Sequence, residues 1–89
     1  MPYILKHETT GLIAAATLRN IYDLDYYGAE WWTSEDEALQ VAAGRSQWHP
    51  VHITEAKLKI LNVKLNNNQN RSLFLNEDGT LRIEFSSAD

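Results

Sequence analysis

The side chains able to do chemistry in this chain are carboxylates and aromatic rings, and one stretch concentrates both. From Tyr22 to Glu37 lie six acids (Asp23, Asp25, Glu30, Glu35, Asp36, Glu37) and five aromatics (Tyr22, Tyr26, Tyr27, Trp31, Trp32), with no basic residue among them. The stretch carries a formal charge of −6 in a chain of net −4, so the remainder sums to +2. Aromatic bodies bury large areas and anchor recognition surfaces. Carboxylates beside them set a negative field that steers a cationic partner. Asp25 and Glu30 also have the residue types to flank a sugar, with Trp31 or Trp32 as a stacking platform. Adjacent residues on a strand point to opposite faces, so one tryptophan belongs to the core, beneath the Leu39 face of the helix that follows. The sequence leaves open which one. The candidate partner-binding set is Asp23, Asp25, Tyr26, Tyr27, Glu30 and Trp31, with no catalytic and no metal-ligating residue assigned.

Other constellations are incomplete. Asp23-Leu24-Asp25-Tyr26-Tyr27-Gly28 resembles the front of an EF-hand loop, but Tyr27 stands at its fifth position and Ser34 at its twelfth, where calcium needs an oxygen ligand and a bidentate glutamate. His49 and His52 are three apart, but Pro50 forbids a helix there, and on a strand that spacing sends them to opposite faces. They read as ordinary rim histidines. The serines, Ser34, Ser46, Ser72, Ser86 and Ser87, sit at a cap, in loops or in the tail, and no Gly-x-Ser-x-Gly, P-loop or Gly-x-Gly-x-x-Gly is present. Lys57, Lys59, Lys64 and Arg71 make a thin basic row, with Lys57 and Lys59 on one strand face. The row is too sparse for a nucleic-acid footprint.

The elements that must position these groups belong to one small domain, residues 1–89. A chain of this size buries only about two thirds of its unfolded surface. Without cysteine, neither disulfides nor thiolate metal sites support it. No secretory signal is expected at Met1-Pro2-Tyr3, and the longest apolar run, Leu12 to Ala16, falls far short of the roughly 18 residues that span a bilayer.

Tyr3 to Glu8 alternates as a strand. Thr9-Thr10-Gly11 is turn chemistry, and Leu12 to Leu18 returns to complete a hairpin. Ala14-Ala15-Ala16 keeps a helix open as the alternative over 12–18. Arg19 to Gly28 reads as a loop or irregular strand, and Tyr26 to Trp32 as a further strand. Ser34 followed by Glu37 is a capping box, which starts a helix at Glu35 with acids at its positive end; either Gly44 caps it or it runs on to about Gln47. Val51 to Leu65 reads as extended. Its apolar phase flips between Ile60 and Leu61, and fifteen extended residues would reach about 50 Å. A globule of this size is roughly 30 Å across, so a bulge or bend is expected near Ile60. Asn66 to Asn70 is a polar loop. Leu73 to Phe85 is a hairpin in which a three-residue loop, Glu77-Asp78-Gly79, pairs Leu75 with Leu81 and Leu73 with Ile83, collecting the apolar residues on one face. Ser86 to Asp89 is expected to fray.

Tyr3-Ile4-Leu5-Lys6-His7, then Thr10-Gly11, then Trp32-Thr33-Ser34 running into Glu37-Ala38, resemble the pattern of small proteins of unknown function encoded by phages and prophages of Gram-positive bacteria. That resemblance covers the first half of the chain. It implies an accessory protein in a bacterial cytoplasm and transfers no catalytic residue. The expected architecture is α+β: a small antiparallel sheet of four to six strands with one helix packed on one face. The expected function is non-enzymatic binding of a basic host or phage protein through the acidic aromatic patch, with no cofactor, no membrane contact and no nucleic acid. The alternative is a small-ligand or carbohydrate module using an exposed tryptophan. A long strand and a modest core also make a homodimer reasonable.

Overall fold

Period-two alternation makes Tyr3–His7 the first strand, β1, of the computed structural model, which describes residues 2–85. Both of its faces are covered: Ile4 and Leu5 are each fully buried, pointing in opposite directions into two separate apolar clusters. The remaining elements are β2 (Ala15–Arg19), β3 (Asp25–Ala29), α1 (Glu35–Ala43), β4 (Trp48–His52), α2 (Glu55–Leu65), β5 (Arg71–Leu75) and β6 (Leu81–Phe85). The fold is α+β.

The strands form three two-stranded antiparallel ladders, β1–β4, β2–β3 and β5–β6, rather than one sheet of four to six. The cause lies in Gly11 to Ala14. This segment runs between β1 and β5 but makes few backbone bonds to either: Gly11 N–H to His7 O, His7 N–H to Leu12 O and Ala14 N–H to Leu5 O on one side, Ile13 N–H to Leu73 O and Leu75 N–H to Gly11 O on the other. The chain then departs to pair with β3. The expected β1–β2 hairpin is therefore confined to the turn and its first residues. Over Ala15–Arg19 the strand prevails against the helical preference of the alanines, because cross-strand partners exist along its whole length.

Among the described residues two helices are present, not one. Ser34 Oγ accepts from the Glu37 N–H at 3.2 Å, as the capping box predicts. α1 stops at Ala43, with Gly44 as its cap, earlier than Gln47. The second helix replaces the extended segment expected over Val51–Leu65. Thr54 Oγ1 accepts from the Lys57 N–H at 3.0 Å and starts α2. Leu58, Leu61 and Leu65, spaced by three and four, face the core. The phase flip at Ile60–Leu61 is thus a helical period and not a bulge, with Ile60 and Val63 left in solvent. Lys57 and Lys59, two apart on a helix, do not share a face. Asn66, left-handed at φ 51°, ends the helix by donating its N–H to Asn62 O.

One cluster joins Ile4, Ile13, Ala29, Ile53, Leu61, Leu65 and Leu73 beneath α2, and the other joins Leu5, Ala14 and Ala38 beneath α1. α1 packs over β1 and β4, whereas α2 packs over β3 and β5. The β5–β6 register pairs Leu75 with Leu81 and Leu73 with Ile83, as expected, and Gly79 holds φ 90°. Asp78 accepts from the Thr80 hydroxyl and N–H, which holds its carboxyl below the usual value. The fraying expected for Ser86–Asp89 lies outside the described residues. Among those residues no helix is long and apolar enough to cross a membrane.

Candidate functional site

The acidic aromatic stretch is built on the β2–β3 hairpin, and Asn20 shapes its turn. Asn20 Oδ1 accepts from the N–H groups of Tyr22 (2.8 Å) and Leu24 (3.1 Å). Asn20 N–H donates to Leu24 O, and Asp23 N–H donates to Asn20 O. Asp23 takes the left-handed conformation, φ 60°, which a short polar side chain tolerates. This bonding fixes a turn whose apolar side chains have nowhere to pack. Ile21 is 90% exposed, Tyr22 75% and Leu24 63%. None of these three exposed residues is in the set expected from sequence. The available signal was Asn20, an amide acceptor placed ahead of an Ile-Tyr-Asp-Leu run.

The outer edge of β3 is closed by side chains. Tyr27 N–H donates to Asn67 Oδ1 at 2.6 Å, and Ala29 N–H to Asn62 Oδ1 at 3.0 Å. Gly28 permits this approach, because a Cβ there would lie 2.8 Å from Asn62 Oδ1. Asp25 to Gly28 is thereby ladder, not a cation-binding loop.

Alternation along β3 divides the expected site residues. Tyr27 turns inward and packs on the cluster beneath α2. Tyr26 faces the other way, into a depression of ≈320 Å3 shared with Leu18, Arg19, Glu30, Trp31 and Trp32. Trp31 is the outward tryptophan, 43% exposed. Trp32 packs with Tyr3, Val41, Ala42 and Trp48 on the cluster beneath α1. The helix meets that cluster through Ala38, Val41 and Ala42, while Leu39 is half exposed. Tyr26, Glu30 and Trp31 are therefore brought together, Asp23 sits at the turn, and Tyr27 is withdrawn.

Two of the carboxylates are matched by arginines. Asp25 meets Arg19 Nε across the ladder at 3.2 Å, well exposed. Glu30 takes Arg45 bidentately, at 2.9 and 3.1 Å. The hydrogen bonds to Glu30 hold the Arg45 guanidinium above its ordinary value against the opposing effect of burial. Asp23 makes no ion pair among the described residues.

Away from this hairpin, His52 stacks on Tyr3 with ring centroids 4.7 Å apart, and His7 meets Trp48 edge-on. Among the described residues no three acidic or histidine side chains converge as a metal-holding group. No family model matches the chain, and no curated protein or solved structure matches it.

Proposed function

We propose that this chain is a non-enzymatic protein-binding module of the phage or prophage accessory type, acting in a bacterial cytoplasm. It presents the β2–β3 turn and the adjoining acidic aromatic surface to a basic host or phage protein. The observation that carries this is the exposure of Ile21, Tyr22 and Leu24 on a turn already fixed by Asn20. Large apolar side chains held out in water are an interaction surface by default, and a rigid turn loses little entropy on docking. Pairing of Asp25 and Glu30 with arginines makes the field weaker than the −6 count suggests. Affinity then comes from the apolar turn, while Asp23 and the first-turn acids of α1 supply steering.

The test is capture of bacterial proteins by three immobilised forms: native chain, an Ile21→Ser/Tyr22→Ser/Leu24→Ser variant, and Asp23→Lys. The serine variant should fold normally and lose at least about tenfold in capture, roughly 1.4 kcal/mol. Asp23→Lys should chiefly flatten the salt dependence of association. Equal capture by the native and serine forms overturns the proposal.

The depression beside Tyr26 and Trp31 favours a second reading, a small-ligand or carbohydrate module. There Trp31 offers a half-exposed indole face on which a ring could stack, and Arg19 and Glu30 line the same depression. A change in tryptophan emission on titrating a glycan and nucleotide panel supports it; a flat response discards it.

A further inference from the structure

Each ladder leaves an outer edge, and the edges are finished differently. β3 is closed by Asn62 and Asn67. β4 carries Pro50 opposite Leu5, whose carbonyl bonds Ala14; the proline nitrogen therefore faces outward, where no donor is offered. β2 holds Arg19 but no acid of its own. Among the described residues, β6 has neither cover nor proline, and β5 is the only strand bonded to it.

The direction of the free groups on β6 follows from its neighbour. Leu73 and Leu75 bond Ile13 and Gly11, away from β6, while Asn76 N–H donates to Thr80 O across the hairpin. Ladder bonds between β5 and β6 thus involve Thr80, Arg82 and Glu84, and Leu81, Ile83 and Phe85 direct their N–H and C=O groups to the open edge.

We propose that this edge is a self-recognition surface, on which a second copy of the chain adds its own β6 antiparallel, centred on Ile83. Two-fold symmetry then sets Ile83 against Ile83, Leu81 against Phe85 and Arg82 against Glu84, the last two pairs each formed twice. The outward groups of Leu81, Ile83 and Phe85 meet in bonded pairs, two hydrogen bonds per pair, and β5–β6 becomes half of a four-stranded sheet. Charge selects this register. Sliding two residues either way sets Arg82 against Arg82 or Glu84 against Glu84, and like charges directly opposite are unfavourable. Arg82 and Glu84 now pair with each other along their own strand, and Arg82 lies over the Phe74 ring at 4.3 Å. Both are about half exposed, within reach of a neighbouring strand. Phe85, 65% exposed beneath Arg71, gains a Leu81 neighbour from the second copy.

The test is sedimentation of four forms of the full chain over a concentration series: native, Arg82→Glu, Glu84→Arg and the exchange of both. The native chain should dimerise, each single reversal should weaken the dimer about tenfold or more, and the double exchange should restore it. Circular dichroism confirms that each form is folded. Amide exchange in the native chain needs no variant: Ile83 should gain protection as concentration rises, and Ala29 should not change. A native chain that stays monomeric to about 1 mM overturns the proposal, as does a dimer indifferent to single reversal, a folded double exchange that stays monomeric, or Ile83 exchange independent of concentration.

Discussion

The two local hairpins share one plan, five residues up and five back, yet they place their exposed resources at opposite ends. β2–β3 has its β3 edge closed and an apolar turn. β5–β6 has an open edge and a polar turn, where Asp78, Thr80 and Asn76 bond one another and no large apolar side chain projects. Side-chain amides make the difference. Asn62 and Asn67 reach the β3 amides from the end of α2, and Asn20 ties the turn from within. The polar groups that would ordinarily face water are used internally on β2–β3, and the apolar ones face out. A surface organised in that sense is suited to contact with another protein.

The comparison breaks most readily at Asn62. Asn62→Ala leaves the N–H of the buried Ala29 without its acceptor and should cost about 1–3 kcal/mol in denaturant unfolding, with faster exchange at Ala29. Asn62→Asp keeps an acceptor oxygen and should lose less. A loss for alanine no larger than for aspartate would show that packing, not the hydrogen bond, closes this edge.

The smaller effect belongs to the polar turn. Gly79 is left-handed with open space around it, so Gly79→Ala meets only the backbone penalty, about 1 kcal/mol in a chemical melt. No change in midpoint would mean that the turn relaxes to another type and does not set the register.

These same hairpins show what the sequence makes legible. The β5–β6 register could be read because Glu77-Asp78-Gly79 and the alternation of Leu73, Leu75, Leu81, Ile83 and Phe85 are both local. α1 was equally open, since Ser34 and Glu37 declare its start. α2 was hidden. Its apolar residues spread beyond one stripe, with Ile60 and Val63 in solvent, so two short alternating runs mimicked strands. The excessive length of the supposed strand was the warning, and Thr54 before Glu55 was the missed cap. Without α2, neither the closure of β3 nor the packing of half-buried Tyr27 on the core could be seen, because both depend on contacts thirty to forty residues distant. Trp31 and Trp32 were correctly divided by alternation, but only the cluster beneath α1 decides which of them is inward.

Recognition through the β2–β3 turn, with the rest of the chain as its scaffold, is tested most directly by placing a photo-crosslinking side chain at Tyr22 in one form and at Asp78 in another. Both are then illuminated in a bacterial lysate. Position 22 should yield a discrete adduct with a basic protein, lost when Ile21 and Leu24 are serine, and position 78 should yield none. Adducts from both positions alike, or from position 78 alone, would contradict the assignment of partner binding to this hairpin.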